Sequence, residues 1–280
     1  KDCRLHSNER HKKISISFTI GNYKRHHTRY LEKEIDMISF CCPSRGRPEL
    51  AKRLVDTAME TQDGETEFLF YLNDDDEKLE QYQDLLNEKY YTIGPNQSTC
   101  YSWNLMCEQA KNDVVMLMGD DVQVKTPHWD TLIVKEIDKY HDKILMVVPS
   151  DGRKKTAGKL GKTVKLWGDE PLGAAHFAVH KNWTNTLGYL APVFFWHWHV
   201  DSYTQKVARK LNRCLYLPTV EFKAKKIIDD NAGRQIRNNL NINLRDNFVW
   251  KKVRDRHLAN DVAELEKFIK DKSTSYFYAS

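Results

Sequence analysis

The apolar positions of this chain change period several times, and each change marks an element. After a polar opening, MISFCC at 37–42 is a short apolar run, PSRGRP breaks it, and ELAKRLVDTAMET sets Leu50, Leu54, Val55 and Ala58 at helical spacing. The order strand, loop, helix then repeats. EFLFYL (67–72) predicts a strand, NDDD its end, EKLEQYQDLLNEKY an amphipathic helix, and YYTIG a short strand. SWNLMCEQAK (102–111) predicts a helix, VVMLMG (114–119) a buried strand, WDTLIVKEIDKY (129–140) a helix and ILMVVP (144–149) a strand. Such alternation implies an α/β fold, a mainly parallel sheet flanked by helices on both faces. Ligands of these sheets sit at the carboxyl ends of the strands, so PSRGRP, NDDD and GDD should open on one edge.

The flanks read differently. Residues 1–36 form a polar N-terminal appendage rich in His and Lys/Arg, whose single alternating run, ISISFTI at 14–20, suits an edge strand. Segment 150–170 holds four Gly and six Lys/Arg and predicts a loop, a candidate lid. HFAVHKNW and a Gly-Tyr turn lead to APVFFWHW, then DSYTQKVARKLN as a helix and RCLYLP as a final strand. The tail, 223–280, is charged and has two helical stretches, the more regular being DVAELEKFIKDK at 261–272. The expected organisation is therefore an appendage at 1–36, a catalytic domain at 37–222 and a helical tail at 223–280 packed on the core.

Composition narrows the class. A chain of 280 residues with 40% hydrophobic content can bury the core of one α/β domain. Lys+Arg 44 against Asp+Glu 39 gives +5, which suits an anionic ligand but falls short of a dedicated nucleic-acid binder. Six cysteines without CxxC or zinc-finger spacing read as buried reduced thiols. No stretch approaches the ~18 apolar residues of a membrane span, and KDCRLHSNERHKK has no apolar leader core, so the expected location is cytoplasmic with no membrane partner. The chain opens on Lys1 rather than Met, which leaves room for an upstream segment.

Asp120 and Asp121 follow a buried strand, and two carboxylates at a sheet edge suit a hard cation on a diphosphate. Asp pairs also start turns and cap helices, and Asp74, Asp75 and Asp76 share that ambiguity. In HWHVD, His197 and His199 alternate before Asp201. An extended segment would set both imidazoles and the carboxylate on one side as a second metal set, and the other choice is a polar acceptor pocket walled by Trp196 and Trp198.

Order and spacing add to these weak signals. PSRGRP after the first strand, NDDD after the second, SWN opening a helix, GDDV after the next strand and WHVD opening another helix resemble the GT-A glycosyltransferases, above all the small single-domain inverting type, over about 37–218. The resemblance implies that Pro43, Ser44 and Arg45 line the nucleotide pocket, that Asp74 lies near the base, and that Asn104 and Asp120 contact the donor. It implies Asp121 as ligand of Mn²⁺ or Mg²⁺ and Asp201 as general base, with Trp196, His197, Trp198 and His199 on the acceptor side. Two departures bear on metal dependence: Gly119 replaces the first Asp of the D-x-D motif, and VEFKAKK, with Lys223 and Lys225, lacks the His that many relatives carry after the last core strand.

The implied activity is transfer of a sugar, with inversion, from a UDP- or GDP-linked donor to an acceptor hydroxyl on a glycan, a protein or a modified nucleic-acid base. Two other readings stay open: an inactive module that binds nucleotide sugar or nucleic acid, and a sugar nucleotidyltransferase. Against the latter, PSRGRP has one Gly where such enzymes carry a Gly-rich loop.

Overall fold

The computed structural model describes residues 13–15, 28–30, 38–152, 175–224 and 238–279. The chain divides into two units, Lys1–Ile35 and Asp36–Ser280. In the first, β1 (Lys13–Ser15) pairs antiparallel with β2 (Thr28–Tyr30). This covers the start of the alternating run, and 16–20 lie outside the described residues, as does 153–174, most of the expected lid.

The second unit carries an eight-stranded sheet. Its strands are β3 (Ile38–Ser44), β4 (Glu67–Asn73), β5 (Tyr91–Gly94), β6 (Val114–Leu117), β7 (Val122–Val124), β8 (Met146–Ser150), β9 (Phe177–His180) and β10 (Cys214–Ala224), in the spatial order β5-β4-β3-β6-β9-β8-β10-β7. Strands β5, β4, β3 and β6 are mutually parallel, β9 runs against its neighbours β6 and β8, and β10 is parallel to β8. The expected α/β architecture, GT-A-like with helices on both faces, is what is observed. The loops after β3, β4 and β6 leave from one edge, because these strands share one direction.

Side-chain alternation along the strands separates two cores. Ile38, Phe40, Cys42, Phe70 and Leu72 pack with α1 (Pro48–Thr61), α2 (Leu79–Leu85) and α4 (Trp129–Asp138) on one face. Cys41 and Tyr71 point the other way, toward α3 (Thr99–Gln109), α5 (Lys181–Leu187), α6 (Val200–Lys210) and the last helix, α8 (Arg254–Ala279). Between α6 and α8 comes α7 (Leu240–Lys252). Trp129 plugs the first core, with its ring 4.9 Å from Phe40 and 5.4 Å from Phe222. Cys41, Cys42, Cys100 and Cys107 are buried free thiols, and burial pushes each thiol pKa up.

Three elements differ from the periodicity. α2 stops at Leu85, and Asn87 starts a separate 3-10 turn at Glu88–Tyr90 by accepting the Lys89 N–H, so one amphipathic run becomes two pieces. β7, only three residues long and directly following GDD, is too short to show a period, and its partner is β10, about a hundred residues away. β10 continues past RCLYLP to Ala224: Pro218, which has no N–H for a ladder, sits where the register slips between Leu217 and Glu221. Among the described residues no helix is long and apolar enough to cross a membrane.

Candidate functional site

β3 delivers Ser44 to the carboxyl edge, and a short hydrogen-bond chain fixes everything around it. The Arg47 N–H donates to the Tyr82 hydroxyl (2.8 Å), Tyr82 donates to Ser44 Oγ (2.6 Å), and Ser44 donates to Asp120 Oδ2 (2.6 Å). The Arg47 guanidinium closes the ring on Asp120 Oδ1 at 2.8 Å. PSRGRP, α2 and MGDD are thereby one rigid unit. Asp120 is 3% exposed, and burial raises its pKa against the opposing pull of Arg47 and Ser44. Both oxygens of Asp120, an expected donor contact, are therefore used within the protein.

The rest of the loop depends on Gly46, whose φ of 68° suits glycine and turns its N–H onto Asp76 Oδ2 (2.7 Å). Arg45 pairs with Asp75, and that hydrogen bond holds the Asp75 carboxyl below its usual range. Above this floor opens a cleft of about 390 Å³. Its lining includes Pro43, Ser44, Arg45, Arg47, Asn73, Thr99, Trp196 and His197, with Asn239 at the start of α7. The first turn of α3 points at it, with Ser98 capping that helix through the Tyr101 N–H (3.1 Å). Arg45 and Arg47 line the cleft with each guanidinium already paired to a carboxylate, Asp75 and Asp120, so the N-terminus of α3 is what the cleft offers an anion beyond those pairs.

The sequence HWHVD is a turn, not an extended segment, so its two imidazoles part company. His197 meets Thr99 Oγ1 at 2.7 Å inside the cleft, and burial lowers its pKa. His199 adopts a left-handed φ of 70°, stacks on Trp250 (centroids 4.7 Å apart) and approaches Asn247. The one-sided second metal set is therefore not assembled. Asp201 lies in the first turn of α6, where Oδ1 accepts the Ser202 N–H (2.7 Å), and the N-cap position belongs to His199 instead.

What holds this turn is a carboxylate the sequence did not advertise. Asp246, on α7 and 0% exposed, accepts the backbone N–H groups of Trp196 (2.8 Å), His197 (2.9 Å) and Trp198 (2.8 Å). Three N–H groups on one anion are charge-assisted bonds, stronger than neutral ones. α7 thus sets one wall of the cleft. LNINLRDNFVWKK carries no signal of this, because the partners are backbone groups nearly fifty residues away.

Of the expected site residues, Pro43, Ser44, Arg45, Trp196 and His197 line one cleft, while Asp74, Asn104, Asp120, Asp121, Trp198, His199 and Asp201 are not among its described lining residues. Asp74 is exposed, and its N–H donates to the Gly94 carbonyl (2.8 Å). Asn104 clamps the 190–191 backbone: Oδ1 accepts the Leu190 and Ala191 N–H groups at 2.9 and 2.8 Å, and Nδ2 donates to Ala191 O at 2.8 Å. Arg47 and Tyr82 emerge as parts of the floor.

Asp121 is half-buried, beside Gly119 and His176. A Cβ at position 119 would lie 3.2 Å from Asp121 Oδ1, which would have to give by a few tenths of an ångström, and 3.4 Å from His176 Cε1. His176 also accepts the Gly119 N–H through Nδ1 (3.3 Å), and a histidine arriving from the start of β9 was not anticipated. Lys223 sits against Gly152 at the end of β8, while Lys225 lies outside the described residues. Among the described residues no three His, Cys, Asp or Glu side chains form a metal cluster. Asp121 by itself offers one carboxylate, and a divalent ion bound through one or two carboxylates takes its remaining ligands from phosphates and water.

No protein-family model and no curated protein matches the sequence. Solved structures do match in fold. A mannosyltransferase from Pyrobaculum calidifontis, in complex with GDP-Man and Mn²⁺, superposes with a TM-score of 0.53 at 11% identity, over 83% of this chain and 74% of that one. S. aureus TarS 1–349 with UDP-GlcNAc gives 0.51 at 13% identity, over 70% of this chain and 60% of that one. Glucosyl-3-phosphoglycerate synthase from Mycobacterium tuberculosis, with Mg²⁺ and UDP, gives 0.50 at 11% identity, over 76% and 80%. At such identities the likeness is one of fold alone, a GT-A-like architecture.

Proposed function

We propose that this chain transfers a sugar from a UDP- or GDP-linked donor to an acceptor hydroxyl. The observation that carries the proposal is the cleft at the carboxyl edge, with Arg45, Arg47 and the α3 N-terminus facing it and Asp121 at the end of the same motif that builds its floor. Ligands of open α/β sheets occupy this edge. In this reading Pro43, Ser44 and Asn73 border the nucleoside, and the arginines and the helix end offset diphosphate charge. Asp121 would hold the divalent ion, which when bound neutralises the departing diphosphate. Asp201 would take the acceptor proton as its oxygen attacks the anomeric carbon, giving inversion. The Asp246-held turn carries His197 and leads directly into Asp201, so it would set the distance between acceptor and donor.

The test is thermal shift and donor hydrolysis with UDP-, GDP-, CMP- and dTDP-sugars, with and without Mn²⁺. A donor that binds only the folded state raises stability by about 2.7 kcal/mol at ~100 times its Kd. One nucleotide should stand out, Asp121→Ala should lose the metal-dependent gain, and Asp201→Ala should bind donor without turnover. No shift with any donor sinks the proposal, and release of pyrophosphate in place of nucleoside diphosphate replaces it with nucleotidyl transfer.

A further inference from the structure

Next to the cleft lies a second groove, about 470 Å³, between the start of α3 and the 188–196 segment. The two share Asn96, Gln97 and Trp196 as a common wall. The volume falls in the ~300–1,000 Å³ range of small-molecule sites. Its chemistry differs from that of the cleft. Where the cleft has Arg45 and Arg47, no Lys or Arg is found among the described residues that line the groove, and its one charged group is Glu108.

Tyr101 is 44% exposed and Val193 66%, which leaves an aromatic and an aliphatic surface open to solvent at the groove. Trp196 completes the set and is rigidly held: its N–H donates to Asp246 (2.8 Å) and its carbonyl accepts the Cys100 N–H (3.3 Å). Arg245 covers the Trp196 ring at 5.2 Å without lining the groove. Amides at Asn96 and Gln97 and the carboxylate of Glu108 supply donors and acceptors around these apolar surfaces.

We propose that this groove binds an uncharged saccharide. A pyranose presents an apolar C–H face to an aromatic ring and a rim of hydroxyls to amides and a carboxylate. A phosphate, sulfate or nucleic-acid backbone would meet a negative charge with no lining cation to offset it. The shared wall makes the groove the extension of the donor cleft on which the non-reacting part of a neutral glycan acceptor lies. That acceptor role rests on the transferase proposal above; saccharide binding by the groove does not.

Saturation-transfer NMR without donor tests it, using uncharged oligosaccharides built on glucose, mannose, galactose and N-acetylglucosamine. At least one should receive magnetisation from the wild-type protein, with the signal reduced five-fold or more in Tyr101→Ala and largely kept in Tyr101→Phe; heparin and a Lys-rich peptide should not compete. An unchanged Tm in Tyr101→Ala guards against misfolding, since Tyr101 is a helix-surface position. Binding by none of the sugars, equal binding by Tyr101→Ala, or displacement by heparin or the peptide overturns the proposal. Donor thermal shift, run in parallel, separates the two claims: saccharide binding without any donor sinks the transferase and leaves the groove, whereas donor binding without saccharide sinks the groove alone.

Discussion

Asp120 and Asp121 are neighbours in one motif, yet their surroundings differ sharply. Asp120 is locked beneath the cleft by Arg47 and Ser44, with burial raising its pKa. Asp121, half-buried, has its carboxylate beside Gly119 at the edge. The same contrast recurs farther along. Asp246 is buried under three backbone N–H groups, while Asp201 bonds only to the N–H that follows it among the contacts resolved at that turn. Buried acids here build the scaffold, and in the proposed function the acids left at the edge are the ones that would meet a ligand. A bare list of carboxylates in the sequence does not make that division.

The contrast can be broken most directly at Asp120. Asp120→Ala removes the 2.8 Å ion pair with Arg47 and the Ser44 hydrogen bond beneath the cleft, a change that costs about 3–5 kcal/mol. Urea unfolding should therefore show a large fall in midpoint, and a variant as stable as wild type would remove Asp120 from the scaffold class. Asp246→Asn keeps one acceptor oxygen but loses the charge that three N–H groups share, and should cost about 1.5–3 kcal/mol. The loss should be accompanied by faster amide exchange at 196–198, and unchanged exchange there would refute the latch. Asp121→Ala should sit at the bottom of the stability scale, within about 0.5 kcal/mol as for a surface substitution. A midpoint shift as large as that of Asp120→Ala would erase the distinction between the two residues.

Much of the first half of the fold was legible because strands β3, β4 and β6 are buried on both faces and so appear as continuous apolar runs. The loops between them, rich in Asp, Arg and Pro, announced the functional edge. Legibility fell where partners are distant. β7 is three residues long and exists because β10 pairs with it. Arg47 carried no signal in the local pattern, since its partner Asp120 stands 73 positions later. Asn104 stood out in SWN, but its amide is turned to the 190–191 backbone, a contact set by how α3 packs.

The sequence by itself determined the alternation of elements, the direction of the first strands and the chemistry gathered at their carboxyl ends, because period and turn residues act over a few positions. Only the tertiary structure decided which acids are buried, that α7 holds the HWH turn, that His197 and His199 face different neighbours, and that the groove beside the cleft has no lining cation among its described residues. Those outcomes depend on burial and on backbone groups brought together across dozens of residues, and neither is written in local pattern.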